Sequence, residues 1–210
     1  MEPLLKINYA SDFVSIRCSS TARASLAYSV CLVKNKTEMK NALVSRIEAM
    51  SLAENGKCGI IYVQLVSECS IIQALLQTKF PQISTTIYHA QLPSAEKVAN
   101  QAAFMNPLVG TSAVCMVATS AFAVGIDKPN IQYIFNYGMP DSLLDYAQAS
   151  GRSARDPHQV DGPADCVLFS CPDEMKDLIQ WRLKSAKASE GARKQEELKK
   201  MEDYIKVMFL

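Results

Sequence analysis

The sequence predicts an α/β fold in which a doubly wound parallel sheet carries helices on both faces. From about Lys57 onward, short apolar runs alternate with amphipathic segments, and Gly or Pro punctuates the switches between them. Five strand candidates with helices between them are typical of this architecture. In such sheets ligands gather at the carboxyl ends of the strands, so the loops that follow the strands are where chemistry is expected.

Each strand candidate is a short run of apolar and β-favouring residues. The five runs are "CGIIYV" (58–63), "STTIYHA" (84–90), "SAVCMVAT" (112–119), "IQYIFNY" (131–137) and "ADCVLFS" (164–170). Helices are predicted between them over 67–80, 94–105 and 141–154. The first places Ile71, Ile72, Leu75 and Leu76 on one face, the second begins at Ser94 as N-cap, and the third has an Asp or Ser cap.

The flanking segments read as mostly helical. Before Lys57, β-favouring pieces precede a helix over 38–56 with an apolar stripe of Leu43, Ile47 and Met50. After Pro172 a helix runs to about Ala188, with Met175, Leu178, Ile179 and Leu183 predicted to face inward. A last helix carries Leu198, Met201, Ile205 and Met208. These two helices form a predicted C-terminal extension.

Composition excludes several classes of protein. The chain has 210 residues, 49 % of them hydrophobic and 20 % charged, as in an ordinary globular protein, and its net charge of +1 means that any polyanion site must be local. Its seven Cys are scattered without a C-x-x-C pair, which favours reduced thiols in the core and no metal site. No apolar run approaches the roughly 18 residues of a membrane span, so we expect an intracellular protein without a membrane partner.

The segment "YAQASGRSARD" (146–156) spaces polar residues regularly. If it is helical, Gln148, Arg152 and Arg155 form one stripe, and a stripe of small residues beside it packs against the domain. Taken alone, the segment also fits a solvated helix face on which Arg152 pairs with Asp156.

The segment "ATSAFAVGIDKPNI" (118–131) follows the third strand. Thr119 and Ser120 offer hydroxyls to a phosphate, Gly125 permits close backbone approach, and Asp127 can accept from a ribose hydroxyl. Taken alone, the same loop fits a surface turn made by Asp-Lys-Pro-Asn.

Taken in order, "GIIYV", "YHAQL", "VATSAFAVGIDKPNI", "YAQASGRSARD" and "CVLFS" resemble the second RecA-like domain of superfamily 2 helicases, specifically the RecQ family of DNA helicases. The resemblance covers roughly 57–182. It implies a RecA-like sheet of the P-loop NTPase helicase C-terminal type over 41–172. Residues 1–40 would extend from a first RecA-like domain, and 173–210 would be a helical extension cut before a zinc-binding region.

The resemblance also implies roles for individual residues. In it Arg155 is an arginine finger toward the γ-phosphate of ATP, Arg152 its neighbour and Gln148 an organising amide in the cleft. Gly125, Asp127 and Gly151 would line the nucleotide side. The implied DNA contacts are Thr119, Ser120, Tyr88, His89 and Lys128.

The resemblance implies the rest of the machinery as well. The activity would be ATP-dependent 3′–5′ DNA unwinding, with ATP and Mg²⁺ held mainly by the first RecA-like domain. The partners would be that domain and single-stranded DNA or a duplex junction, and the location nuclear in a eukaryote.

The sequence departs from the family pattern in several places. Leu65 and Val66 stand where relatives carry a Ser-Arg pair, and Ala154 replaces a glycine, so its methyl is expected to crowd a tight helix contact. Neither a G-x-x-x-x-G-K-[ST] loop nor its acidic partner motif occurs, so the chain is expected to be half a motor, inactive alone. The alternatives are a nucleic-acid-binding or regulatory remnant without catalysis and, more weakly, half of an RNA helicase.

Overall fold

The molecule is built around one eight-stranded sheet. The structure, a computed structural model, describes residues 8–10, 13–16, 23–50, 57–107, 113–122, 126–160, 162–186 and 189–207. Its strands are β1 (Asn8–Ala10), β2 (Phe13–Ile16), β3 (Leu26–Leu32), β4 (Cys58–Val63), β5 (Ile83–Tyr88), β6 (Ala113–Ala118), β7 (Ile131–Tyr137) and β8 (Ala164–Ser170). The order across the sheet is β1-β2-β3-β8-β7-β4-β6-β5.

The six strands from β3 to β5 in that order are parallel. All five predicted strands are among them, and the buried apolar runs of β4 and β6 explain why both lie in the interior of the sheet. At the β1 side the pairings of β1 with β2 and of β2 with β3 are antiparallel. The predicted doubly wound parallel sheet is confirmed.

Helices cover both faces of the sheet. They are α1 (Lys36–Ala49), α2 (Val66–Lys79), α3 (Ser94–Met105), α4 (Leu143–Ser150), α5 (Pro172–Ser185) and α6 (Gly191–Val207). The buried residues of α1 and α2 join one core cluster with one side of the strands, whereas those of α3 to α6 join two clusters on the other side. Alternate residues of each strand point to opposite faces, which lets one sheet serve both layers.

The region before Lys57 contributes to the same sheet. Strand β3 pairs in parallel with β8 from Leu26 opposite Ala164 to Leu32 opposite Ser170. Helix α1 begins after Asn35, whose side chain accepts from the Glu38 amide at 3.0 Å, and it buries Leu43 and Ile47 as predicted. Residues 51–56 of the predicted helix lie outside the described residues, and the predicted domain boundaries stay predictions.

The C-terminal helices pack on α4 and on the β3–β8 side of the sheet. Leu198, Met201 and Ile205 are buried as the α6 stripe predicts, while Met208 lies outside the described residues. In α5 the prediction for Leu183 is wrong: its side chain is 36 % exposed, and Arg182, at 5 %, takes the inward position. Arg182 can occupy this inward position because the surrounding loop supplies acceptors for its guanidinium.

The described cysteines behave as core residues. Cys58, Cys69, Cys115, Cys166 and Cys171 are all buried. Burial raises the pKa of the Cys58, Cys115 and Cys166 thiols to about 12. These thiols therefore stay protonated and act as small hydrophobes, as predicted.

Candidate functional site

Two ends of the parallel sheet hold the predicted site residues. We call the end reached after Val63, Tyr88, Ala118 and Tyr137 the carboxyl edge, and the end that precedes Leu26, Ile131 and Ala164 the amino edge. Helix α4 begins after the carboxyl end of β7 and returns toward the amino edge, so it connects the two.

A cavity of about 380 Å³ opens at the carboxyl edge, where β4, β6 and β7 end. Polar side chains from these strands, from the segment after β6 and from α4 and α5 line it: Tyr62, Gln64, Ser120, Asn136, Gln148 and Arg182. Within the described residues, Tyr62 Oη and Asn136 Nδ2 are buried without a hydrogen-bond partner. Burying such groups costs free energy, so this edge retains unused hydrogen-bonding capacity.

Four of the predicted DNA contacts lie together at one corner of the carboxyl edge. Tyr88 pairs with Ala118 across the end of β5 and β6, and the Thr119 amide donates to the Tyr88 carbonyl at 3.1 Å. Ser120 is exposed and begins a short 3-10 turn, whereas His89 is buried and its Nδ1 has no hydrogen-bond partner within the part of the chain that the structure describes. The strand ends therefore bring these residues together as the sheet topology requires.

Lys128 does not join that corner. It precedes β7 at the amino edge, its side chain is only 6 % exposed, and Nζ donates to the Met105 carbonyl at 3.1 Å. The ammonium also lies 5.6 Å from the centre of the Phe104 ring. Because the charge is satisfied inside the protein, the geometry does not support the predicted DNA contact.

The arginine segment departs from the predicted helix. Helix α4 ends at Ser150 with Gly151 as C-cap, so Gln148, Arg152 and Arg155 do not form one helical stripe. Gln148 is exposed on α4 and lines the cavity, whereas the two arginines lie beyond the helix end at the amino edge. The predicted continuous helix over 141–154 is wrong at its last turn.

Both arginines bind acceptors from the loop before β7. Arg155 Nη1 lies 2.6 Å from Asp127 Oδ1, and Arg152 Nη1 donates to the Ile126 carbonyl at 3.4 Å. The Asp127 side chain is 84 % exposed. Burial raises the pKa of Tyr62 and the positive charge of Arg152 opposes that rise, so Arg152 acts electrostatically on a residue of the cavity wall. Gly125 lies outside the described residues.

Ala154 adopts a left-handed conformation with φ of 46°. A non-glycine residue there costs on the order of 1–2 kcal/mol, and the Ala154 amide is held by the Ile131 carbonyl at 2.8 Å. Ala154 lies beyond the end of α4 and is buried in the core, and the prediction that its methyl crowds a helix contact stays a prediction. What favours glycine here is the backbone angle.

Two side chains that sequence reasoning missed support these edges. Arg182 pairs with Asp141 at 2.5 Å and donates to Gln64 Oε1 at 2.7 Å, and burial lowers the pKa of its guanidinium. Arg23 donates from Nη1 to the Gly151 carbonyl at 3.0 Å and from Nη2 to the Ala154 carbonyl. The bonds of Arg182 to Gln64 and of Arg23 to Gly151 and Ala154 each join residues more than a hundred positions apart, so no local pattern predicts them.

The described part of the chain contains neither a cluster of metal ligands nor a membrane-spanning helix. No group of three or more His, Cys, Asp or Glu side chains there could hold a metal ion. Among the same residues, no helix has both the length and the apolar character needed to cross a membrane.

Comparison with known proteins identifies relatives of the chain. The model of the helicase conserved C-terminal domain matches residues 39–157. The chain is 33 % identical over 144 residues to the ATP-dependent DNA helicase RecQ of Pasteurella multocida (strain Pm70), covering 66 % of this chain and 21 % of that protein. It is 32 % identical over 136 residues to the RecQ-like DNA helicase blm-1 of Caenorhabditis elegans, covering 64 % of this chain and 13 % of that protein. The chain thus spans about a fifth or less of these relatives.

A solved structure shares the fold. The DEAD-box helicase Mss116 bound to ssRNA and UDP-BeF superposes with a TM-score of 0.62 at 21 % identity, covering 78 % of this chain and 31 % of that one. The likeness extends to the arrangement of strands and helices in the RecA-like domain.

Proposed function

This chain belongs to the helicase conserved C-terminal domain family, in its RecQ group, and on that premise we propose that it forms the C-terminal motor half of a RecQ-like, ATP-dependent 3′–5′ DNA helicase. The relatives are ATP-dependent or RecQ-like DNA helicases by name, and each is several times longer than the aligned part. ATP hydrolysis and unwinding would therefore belong to the complete protein, inside the cell and in the nucleus of a eukaryote.

The observation that carries the proposal is the arginine pair at the amino edge. Arg155 forms an ion pair with Asp127, whose carboxylate is mostly exposed. An exposed ion pair contributes only about 0–1 kcal/mol to the stability of the fold. An arginine at the γ-phosphate raises the rate by about 10³ to 10⁵. Releasing Asp127 therefore costs little compared with what Arg155 would contribute to phosphoryl transfer.

The residues at this edge fit a nucleotide presented by another domain. Arg155 and Arg152 would bind the γ-phosphate, and Asp127, once released by Arg155, would accept from a ribose hydroxyl. Gly125 and Gly151 would allow close approach of the backbone, and Gln148 would organise the cleft from α4. Since the described residues offer no acidic cluster for Mg²⁺, the ion would be held mainly by the first RecA-like domain.

When ATP is bound there, it supplies the phosphoryl group whose transfer drives translocation. Charge accumulates on the γ-oxygens during that transfer, and a planar guanidinium can donate two parallel hydrogen bonds to them. The role of this chain is to hold two such groups in place and to release them when the domains separate.

DNA would cross the carboxyl edge. Thr119 and Ser120 offer hydroxyl groups to phosphates, and Tyr88 offers an aromatic ring beside them, with His89 behind. Contacts of this kind bind the backbone without distinguishing bases, as a translocating motor requires. Lys128 is not included, because its ammonium is buried.

The test compares the chain alone with a longer protein that supplies a first RecA-like domain. We expect no DNA-stimulated ATPase from the 210-residue chain and turnover from the longer protein, with Arg155→Ala lowering kcat by roughly 10³. Arg193→Ala is the matched control, because Arg193 also pairs with a carboxylate at the surface, that of the half-buried Glu197 at 3.4 Å, but lies on α6. Turnover by the chain alone, or full activity of Arg155→Ala, would contradict the proposal.

Two other outcomes would reassign the function. Salt-dependent binding of single-stranded DNA that survives Arg155→Ala, with no ATPase in the longer protein, would indicate a binding module without catalysis. Faster unwinding of RNA duplexes than of DNA duplexes would indicate an RNA helicase, and duplexes with 5′ or 3′ tails would test the polarity.

A further inference from the structure

Arg23 lies outside every segment that the proposed function uses. It stands in the turn before β3, where its carbonyl accepts from the Leu26 amide at 3.0 Å. Its guanidinium reaches across the amino edge and donates to two carbonyls, Gly151 at 3.0 Å and Ala154. The planar guanidinium thus joins the start of β3 to the first and the last residue of the turn 151–154.

The two carbonyls directly precede the two arginines of the proposed site. The Gly151 carbonyl belongs to the peptide group that continues into Arg152, and the Ala154 carbonyl belongs to the one that continues into Arg155. A hydrogen bond to a carbonyl fixes the plane of its peptide group, and with it the Cα position of the next residue. Arg23 therefore holds the two peptide planes from which both arginines extend.

The turn needs such support on both sides. The last carbonyls of a helix lack partners within the helix and carry partial negative charge, and Gly151 is the C-cap of α4. Ala154 is held in a left-handed conformation that alanine disfavours. The Ala154 amide bonds to Ile131 and the Asp156 amide to Pro129, which anchors one side of the turn, while Arg23 anchors the other.

We propose that Arg23 is a positioning residue for Arg152 and Arg155, one that ties the arginine pair to the chain segment leading into β3. The proposal rests on the proposed function for its catalytic consequence, but the positioning itself is a property of this chain. A planar guanidinium is suited to the task because its donors are fixed relative to one another, whereas a lysine ammonium is a point donor.

The first arm of the test measures amide hydrogen exchange in the 210-residue chain. We expect Arg23→Ala to speed exchange at the Arg152, Ser153, Ala154 and Asp156 amides, all hydrogen-bonded in the structure, by about tenfold or more, with β4 and β6 unchanged. Arg23→Lys should show a smaller increase. Arg46→Ala is the matched control: Arg46 pairs with Asp165 at 2.5 Å on the same edge but belongs to α1, which packs on the other face of the sheet from α4 and Ala154.

The second arm measures ATPase in the longer protein. Because small misplacement of a catalytic group lowers the rate, we expect Arg23→Ala to reduce kcat by about tenfold to a hundredfold with KM for ATP little changed, and Arg23→Lys to restore part of it. Arg46→Ala should leave both constants near their original values at a temperature where it is folded.

The two arms separate failure of this proposal from failure of the proposed function. If Arg155→Ala leaves the ATPase intact, the function is wrong, yet the exchange arm still measures the positioning. Unchanged exchange at 152–156 in Arg23→Ala, or a uniform increase equal to that of Arg46→Ala, would overturn the proposal. So would a rise in KM without a fall in kcat.

Discussion

The carboxyl and amino edges of the sheet differ in how their polar groups are satisfied. At the amino edge, four guanidinium groups each bind a carbonyl or carboxylate of the chain itself: Arg23, Arg46, Arg152 and Arg155. At the carboxyl edge, a cavity contains the buried and unpartnered Tyr62 Oη and Asn136 Nδ2. The amino edge is therefore held mainly by guanidinium groups, although Gln132 Oε1 near the start of β7 is also buried without a partner among the described residues, whereas two strand side chains in the carboxyl-edge cavity leave hydrogen-bonding groups unused.

The largest effect on stability is expected at the amino edge. Arg46→Ala leaves Asp165, which is 9 % exposed, without its guanidinium, and because the Arg46 side chain is itself 31 % exposed we expect a loss of about 1–3 kcal/mol in the free energy of unfolding, between the values for exposed and for buried pairs. Urea denaturation measures the loss. Burial raises the pKa of Asp165, so the deficit should shrink as pH falls through that raised value, because a neutral carboxyl needs no cation.

The control for Arg46 is Lys36→Ala, which removes an exposed pair with Asp177. Its cost should lie within the ~0–1 kcal/mol typical of surface pairs. Equal losses of stability in the two variants would mean that the Arg46–Asp165 pair holds the amino edge no more strongly than an exposed surface pair would.

A smaller effect of opposite sign is expected at the carboxyl edge. Tyr62→Phe removes a buried hydroxyl that has no partner among the described residues, so we expect a gain of about 1 kcal/mol in the free energy of unfolding. Tyr146→Phe is the matched control, since the Tyr146 hydroxyl donates to the Cys166 carbonyl at 3.4 Å and its removal should cost stability. Loss of stability in Tyr62→Phe would show that the hydroxyl is already satisfied, and the contrast between the edges would weaken.

The smallest effect is expected at the turn between α4 and Arg155. Ala154→Gly removes the strain of a left-handed alanine, which should stabilise the fold by about 1–2 kcal/mol. Two losses oppose this gain: a buried methyl group that contributes about 0.8 kcal/mol, and about 0.4–1 kcal/mol from the greater conformational entropy of glycine in the unfolded chain. The free energy of unfolding should therefore change by less than about 1 kcal/mol. Ala149→Gly is the control: Ala149 lies inside α4, so this change removes a methyl group without removing any backbone strain and should be clearly destabilising. Similar losses of stability in the two variants would argue against strain at Ala154.

Local sequence patterns were sufficient for the five strands from β4 to β8 and for most of the helices, but not for β1 to β3. The apolar runs of β4 to β8 are long enough and β-rich enough that periodicity alone identifies them, and their order predicts a common carboxyl edge for Tyr88, Thr119 and Ser120. The same reasoning failed at the end of α4. Helical spacing in "YAQASGRSARD" continues past Ser150, but Gly151 ends the helix and Ala154 reverses the backbone.

Local periodicity and short motifs are enough to predict the fold class, the succession of strands along the chain and the arginine segment. Which charged side chains are free to act depends instead on the packing of the folded chain. That packing buried Lys128 against Phe104, turned Arg182 inward to Asp141, and placed Arg23 on the carbonyls before Arg152 and Arg155. Those outcomes depend on contacts between residues far apart in the chain, where the nearest acceptor is set by packing and no pattern of neighbours records it.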